Sequence, residues 1–208
     1  MDAFLAQHWL DITTTVLGLL YILLELKASV WMWVVGIVMQ LLGIVLYYQK
    51  GLYADCGMEF YYLAMSGYGL TRWMRATRRS PQKGVESSGA EIKSIFHAPH
   101  NLLPALGGVG VGLLLWALIY WLLVTFTNST VPLADSFTTA LSIIGIWALA
   151  HKYLEQWFIW IAVDVVTSIL YFYKDIPFKA SLYALYVVIA IFGYVNWRRK
   201  MRTQNQSA

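Results

Sequence analysis

Two stretches decide how this chain folds: Trp31–Lys50, WMWVVGIVMQLLGIVLYYQK, and Glu155–Lys174, EQWFIWIAVDVVTSILYFYK, which lie 124 residues apart. At that offset Trp33 falls on Trp157, Gln40 on Asp164, Leu46 and Tyr47 on Leu170 and Tyr171, and Lys50 on Lys174. The register continues without a gap to Tyr62 on Tyr186, Gly69 on Gly193, Trp73 on Trp197 and Arg75 on Arg199. Self-similarity at a fixed offset is the signature of an internal repeat. Both stretches are apolar enough to cross a bilayer, so the repeat is one of membrane-spanning helices.

The rest of the chain fits that reading. Of 208 residues, 59 % are hydrophobic and 12 % charged, with a mean hydropathy of +0.58. No water-soluble surface of ordinary charge density can be built from this composition. Runs long enough to cross about 30 Å of hydrocarbon are predicted at Trp9–Leu24, Ser29–Tyr48, Leu52–Met74, Asn101–Thr127, Ala134–Ala150, Trp157–Tyr173 and Pro177–Trp197. They are continuous rather than alternating, which selects helices over a barrel. The opening MDAFLAQHWLD lacks the basic start and small-residue cleavage site of a signal peptide, so the first run is expected to stay as a span. The single Cys56 falls inside a span and excludes an internal disulfide.

The predicted fold is therefore an all-α integral membrane protein of seven transmembrane helices in a 3+1+3, SWEET-like order, with three-helix repeats running parallel about an axis along the membrane normal. Its parts are a first repeat over 9–74, a basic linker over 75–100, a connecting helix over 101–127, a second repeat over 134–197 and a basic tail over 198–208. Placing the N-terminus outside puts 12 of the 15 Lys and Arg residues on the inner side and leaves Lys50, Lys174 and Lys179 outside. Basic residues are retained on the cytoplasmic face, so the C-terminus is expected inside. The basic linker and the RRKMR tail then read as topology signals, not as a nucleic-acid surface.

The chemistry concentrates in the sixth span. Trp157, Trp160 and Asp164 are spaced i, i+3, i+7 and share one helical stripe, with Asp164 near mid-span. A carboxylate there costs several kcal/mol unless it faces a bundle interior or a wet cavity. Indole rings stack on flat heterocycles and attract cations, and a carboxylate offsets positive charge. The repeat mates are Trp33, Gly36 and Gln40, so each half brings a polar group to similar depth. Glu59 is a second intramembrane carboxylate, on a stripe with Asp55, Tyr62 and Ser66; Tyr183 and Tyr186 are placed similarly in the second half. The expected substrate-binding set is thus Trp157, Trp160, Asp164, Gln40, Glu59, Trp33, Tyr62 and Tyr183. Packing or helix tying is the competing reading for each. His97 and His100 have no metal-ligand spacing, no phosphate-cradling loop is present, and no catalytic triad converges. No metal, cofactor or enzymatic activity is expected.

The runs KYLEQWFIWIAVDVV, LYFYK and LYALYVVIAIFGYVNWRR, with WMWVVGIV, YYQKGLYAD and GYGLTRW before them, resemble the Pnu family of vitamin transporters, most specifically in the pair Trp157 and Trp160. The resemblance implies a multi-pass protein of the bacterial inner membrane, a homotrimer, and facilitated diffusion of a B-type vitamin trapped inside by phosphorylation. Family members are assigned to nicotinamide riboside, thiamine or riboflavin. Those for nicotinamide riboside often carry Asn where Asp164 stands, Asn near Met39, and Gln where Glu59 stands. The extra acidity favours a cation, nicotinamide riboside or thiamine, over neutral riboflavin, and repels a phosphorylated mononucleotide. Alternating access by rocking repeats is the expected mechanism. The alternatives are a proton-coupled symporter and a non-transporting sensor or scaffold.

Overall fold

The structure is a computed structural model that describes residues 13, 16–49, 53–79, 91–95, 102–127, 130–173 and 177–206. Seven helices occur among them: α1 (Val16–Leu26), α2 (Trp31–Gln49), α3 (Tyr53–Arg79), α4 (Leu102–Phe126), α5 (Pro132–Ala150), α6 (Gln156–Tyr173) and α7 (Pro177–Gln206). Five contain stretches long and apolar enough to cross a membrane: Trp31–Gln49, Gly108–Phe126, Pro132–Ala150, Gln156–Tyr173 and Ala180–Gln204. The described part of α1 is apolar but shorter, and α3 carries Asp55, Glu59 and its arginines. The start expected at Trp9, the side chains of Lys50, Lys83, Lys174 and Lys179, and His97 and His100 lie outside what is described.

Two expected boundaries move. α3 runs five residues past the predicted Met74, to Arg79, and α7 runs beyond Trp197 to Gln206. The basic residues after each span are good helix formers, and neither extension contains Gly or Pro. The predicted tail is thus mostly the end of α7, where Met201 is buried.

The chain divides into two compact units, one up to Glu91 and one from Ile92. In the first, α2 packs on α3; in the second, α4 packs on α5, α5 on α6 and α6 on α7. In lipid, close packing rather than apolar burial holds helices together. The first unit achieves it by laying the Trp33 ring on Gly69, where an added Cβ would meet ring carbons at 2.5–2.6 Å. Trp73 closes the nest edge-on, 5.5 Å away at 88°. The second unit does the same with Trp157 on Gly193 (2.4–2.6 Å) and Trp197 edge-on at 5.7 Å and 87°.

The turns into α2 and α6 also correspond bond for bond. Ala28 and Lys152, 124 apart, are the non-glycine residues with positive φ among those described, at 54° and 58°. The amides of Ala28 and Ser29 donate to the carbonyls of Glu25 and Leu24 at 2.8 and 3.0 Å; those of Lys152 and Tyr153 donate to Leu149 and Ala148 at 2.9 and 3.0 Å. A third tie joins the helix ends. Cys56 of α3 donates its thiol to the carbonyl of Ile44 on α2 at 3.7 Å. At the equivalent positions the direction reverses, and Ser168 of α6 donates to the carbonyl of Ala180 on α7 at 2.8 Å.

The second unit has one addition. Residues 92–95, predicted as linker, form a strap over the α5–α6 turn. Lys93 donates its amide to the Lys152 carbonyl and accepts from the Leu154 amide, at 2.9 and 2.8 Å. Glu155 Oε1 accepts from Ser94 Oγ at 2.6 Å and from the Ile95 amide at 2.8 Å, while the Ile92 amide reaches Gln204 Oε1 on α7 at 3.1 Å. Beneath the strap Lys152 is 2 % exposed. Burial, with the charge of Lys200 adding, lowers its ammonium pKa from 10.5 to about 7.

Candidate functional site

On α6 the predicted stripe divides by depth of packing. Trp157 is 3 % exposed and its ring fills the nest on Gly193. Trp33 is fully buried in the equivalent nest on Gly69. Both rings are used by helix packing, and both indole N–H groups are buried without a partner. Trp160, one turn further along α6, is half-buried with its N–H unpartnered. Its six-membered ring lies on Gly145 of α5, where an added Cβ would meet it at 3.3 Å.

The first unit inverts this contact. Positions 145 and 160 correspond to Tyr21 and Gly36, and the Tyr21 ring lies where a Cβ on Gly36 would meet it at 3.2 Å. Large side chain and glycine have exchanged helices, so the volume at the contact is kept while the ring sits on α6 in the second unit and on α1 in the first. The sequence comparison pairs Gly36 with Trp160 and misses this exchange, because neither position conserves residue type. Tyr21 and Gly145 are the neighbours of the candidate set that it overlooked.

The carboxylate follows the same rule of shared scaffold and different chemistry. Asp164 is 8 % exposed, within electrostatic range of Tyr186 on α7. Its counterpart Gln40 is 5 % exposed, with its carboxamide oxygen unpartnered. Glu59 is half-buried, its carboxylate lying on Gly43 so closely that an added Cβ would meet it at 2.8–3.1 Å. Tyr62 neighbours Tyr61 at 5.8 Å between ring centroids. Tyr183 stacks on Tyr171 at 5.4 Å and meets Tyr186 edge-on at 5.6 Å. Thus α2 and α3 place Gln40, Glu59 and Tyr62 in the first unit, and α6 and α7 place Trp160, Asp164 and Tyr183 in the second.

An apolar hollow of about 360 Å³, lined by Trp116, Val131, Pro132, Leu133, Ala134, Phe137 and Val166, includes none of these residues. Its walls suit a hydrocarbon chain, not a polar solute. Among the described residues no cluster of His, Cys, Asp and Glu could hold a metal ion.

Residues 8–199 match the family model described as nicotinamide mononucleotide transporter. The riboflavin/roseoflavin transporter RibM of Streptomyces davaonensis is 28 % identical over 96 % of this chain and 90 % of its own length. The nicotinamide riboside transporters PnuC of Neisseria mucosa and Escherichia coli are 23 % and 20 % identical over 94 % and 96 % of this chain, and 74 % and 89 % of theirs. A crystal structure of the vitamin B3 transporter PnuC superposes with a TM-score of 0.73 at 21 % identity, covering 97 % of this chain and 85 % of that one. The fold is therefore that of PnuC.

Proposed function

We propose, from the premise that the chain belongs to the nicotinamide mononucleotide transporter family and is a PnuC-type vitamin transporter, that it takes up a cationic B-type vitamin, nicotinamide riboside or thiamine. The observation that carries the reading is Asp164: a carboxylate 8 % exposed in the middle of an apolar helix, one turn from a half-buried indole. An intramembrane carboxylate that costs several kcal/mol to place is retained for a substrate path. Trp160 supplies the ring for a planar heterocycle, and Asp164 offsets its positive charge. Gln40, Glu59, Tyr62 and Tyr183 are further substrate contacts. Trp33 and Trp157 hold the helices that carry the set.

The arrangement is proposed to be 3+1+3 with parallel repeats, supported by the shared turn geometry and the two Trp-on-Gly nests. Transport is proposed to be facilitated diffusion by alternating access, with phosphorylation inside the cell trapping the product. The mononucleotide is a poor substrate on this reading, because its phosphate meets Asp164 and Glu59. Riboflavin is the second reading, favoured by the 28 % identity to RibM across nearly the whole of both chains.

Uptake of radiolabelled nicotinamide riboside, thiamine and riboflavin into proteoliposomes tests the proposal. Saturable uptake of one of the cations, unchanged by a pH step or an uncoupler, is expected. Uptake that follows an imposed proton gradient makes the protein a symporter, and no uptake of any of the three refutes the transporter reading.

A further inference from the structure

The first unit contains a small polar niche. A Cβ placed on Gly36 of α2 would lie 3.2 Å from Ser66 Oγ on α3, 3.2 Å from the Tyr21 ring and 3.5 Å from Gln40 Oε1. Ser66 is fully buried and Gln40 is 5 % exposed, and neither oxygen has a hydrogen-bond partner.

A hydroxyl on an apolar helix ordinarily satisfies itself by donating to the carbonyl four residues back. This chain uses that solution repeatedly: Thr77, Thr127, Thr138, Thr139 and Thr203 all do so, at 2.7–3.2 Å. Ser66 does not. Its hydroxyl and the Gln40 amide oxygen converge on Gly36 instead, and leaving two buried oxygens unpaired is expensive. Among the described residues none satisfies either oxygen, which leaves both open to the polar edge of a bound molecule, the Ser66 hydroxyl able to donate or accept and the Gln40 oxygen to accept. The equivalent positions in the second unit hold Ala190, Asp164 and Trp160, so the niche is particular to the first.

We propose that Ser66 and Gln40, flanking Gly36, form a hydrogen-bonding subsite for the transported molecule, which takes the N–H edge of a planar amide or amino-heterocycle. Ser66 is its selectivity-determining residue. Gly36 keeps the subsite open, because a larger side chain would crowd the Ser66 hydroxyl and the Tyr21 ring. This inference rests on the transporter reading and adds which chemical group the first unit recognises.

The test is uptake kinetics of nicotinamide riboside, thiamine and riboflavin by full-length protein in proteoliposomes, with melting of the ligand-free protein in detergent alongside. Ser66→Ala should raise KM for the carried vitamin about five- to tenfold, leave the maximal rate within about twofold, and leave the melting temperature unchanged or higher, since an unpaired buried hydroxyl is removed. Ser66→Cys, close in volume but a weak hydrogen-bonding group, should raise KM similarly, which a packing role would not do. Gly36→Ala should raise KM with the hydroxyl still present. An unchanged KM in both Ser66 variants, while the wild type transports, overturns the subsite and leaves the transporter reading standing; water alone would then satisfy the two oxygens. A wild type that carries none of the three vitamins overturns both.

Discussion

The two halves of this chain are built alike where helices touch and differently where chemistry is offered. The Trp-on-Gly nests, the left-handed turn residue and the tie between helix ends recur at equivalent positions. At the next layer the halves diverge: Tyr21 and Gly36 stand against Gly145 and Trp160, Gln40 against Asp164, and Ser66 against Ala190. The divergence teaches which residues the scaffold fixes and which are free to be specialised. A nest with ring carbons about 2.5 Å from a would-be Cβ admits no variation. A contact that can exchange its large and small partners does.

The sharpest way to break the comparison is to fill a nest. Gly69→Ala and Gly193→Ala each force a methyl into an indole, and should cost about 3 kcal/mol or more, seen as loss of monodisperse protein or a large drop in melting temperature in detergent. The two variants should fail alike; tolerance of one would show the nests to be unequal.

The buried lysine distinguishes the halves by pH. With its pKa lowered from 10.5 to about 7 in the folded protein, Lys152 is neutral when folded and charged when unfolded between those values. The unfolded state binds the extra proton, so stability rises with pH across that window, by up to about 1.4 kcal/mol per pH unit. Below pH 7 the burial penalty is fully present, and above 10.5 it is absent. Melting temperature should therefore climb from pH 7 to 9, and Lys152→Gln should flatten the slope. Ala28, the counterpart in the first half, carries no such dependence.

Glycine at the left-handed positions gives a smaller and opposite effect. Ala28→Gly removes the Cβ clash of a residue at φ 54° and should stabilise by about 1 kcal/mol. Lys152→Gly should gain the same backbone relief and also lose the pH slope. The smallest effect is expected at the helix-end ties. Ser168→Ala should cost about 0.6 kcal/mol, typical of a hydrogen bond between membrane helices, and Cys56→Ala less, since the thiol is a weak donor at 3.7 Å.

What was legible in the sequence follows the same division. Trp33, Gly69 and Trp73 recur as Trp157, Gly193 and Trp197 because packing allows no substitute, so a simple offset found the repeat. Apolar length found the helices. The Tyr21–Gly36 exchange was hidden because it conserves volume across two helices and identity at neither. The left-handed turn was hidden because Ala28 and Lys152 do not announce positive φ as glycine does. The strap at 92–95 is indistinguishable from linker in the sequence, since its attachment uses backbone amides, the Ser94 hydroxyl and a distant Glu155, none of which leaves a periodic mark. Ser66 was visible on the stripe of Glu59, but only the three-dimensional contact with Gly36 shows its oxygen to be aimed and unpaired.

Binding decides whether the difference between the halves serves the substrate. Tryptophan fluorescence of the purified protein, titrated with nicotinamide riboside, thiamine and riboflavin, should show saturable quenching by one of the two cations, weakened at least about tenfold in Asp164→Asn with the melting temperature preserved. Equal affinity in Asp164→Asn, or quenching by riboflavin alone, would contradict the role assigned to the carboxylate.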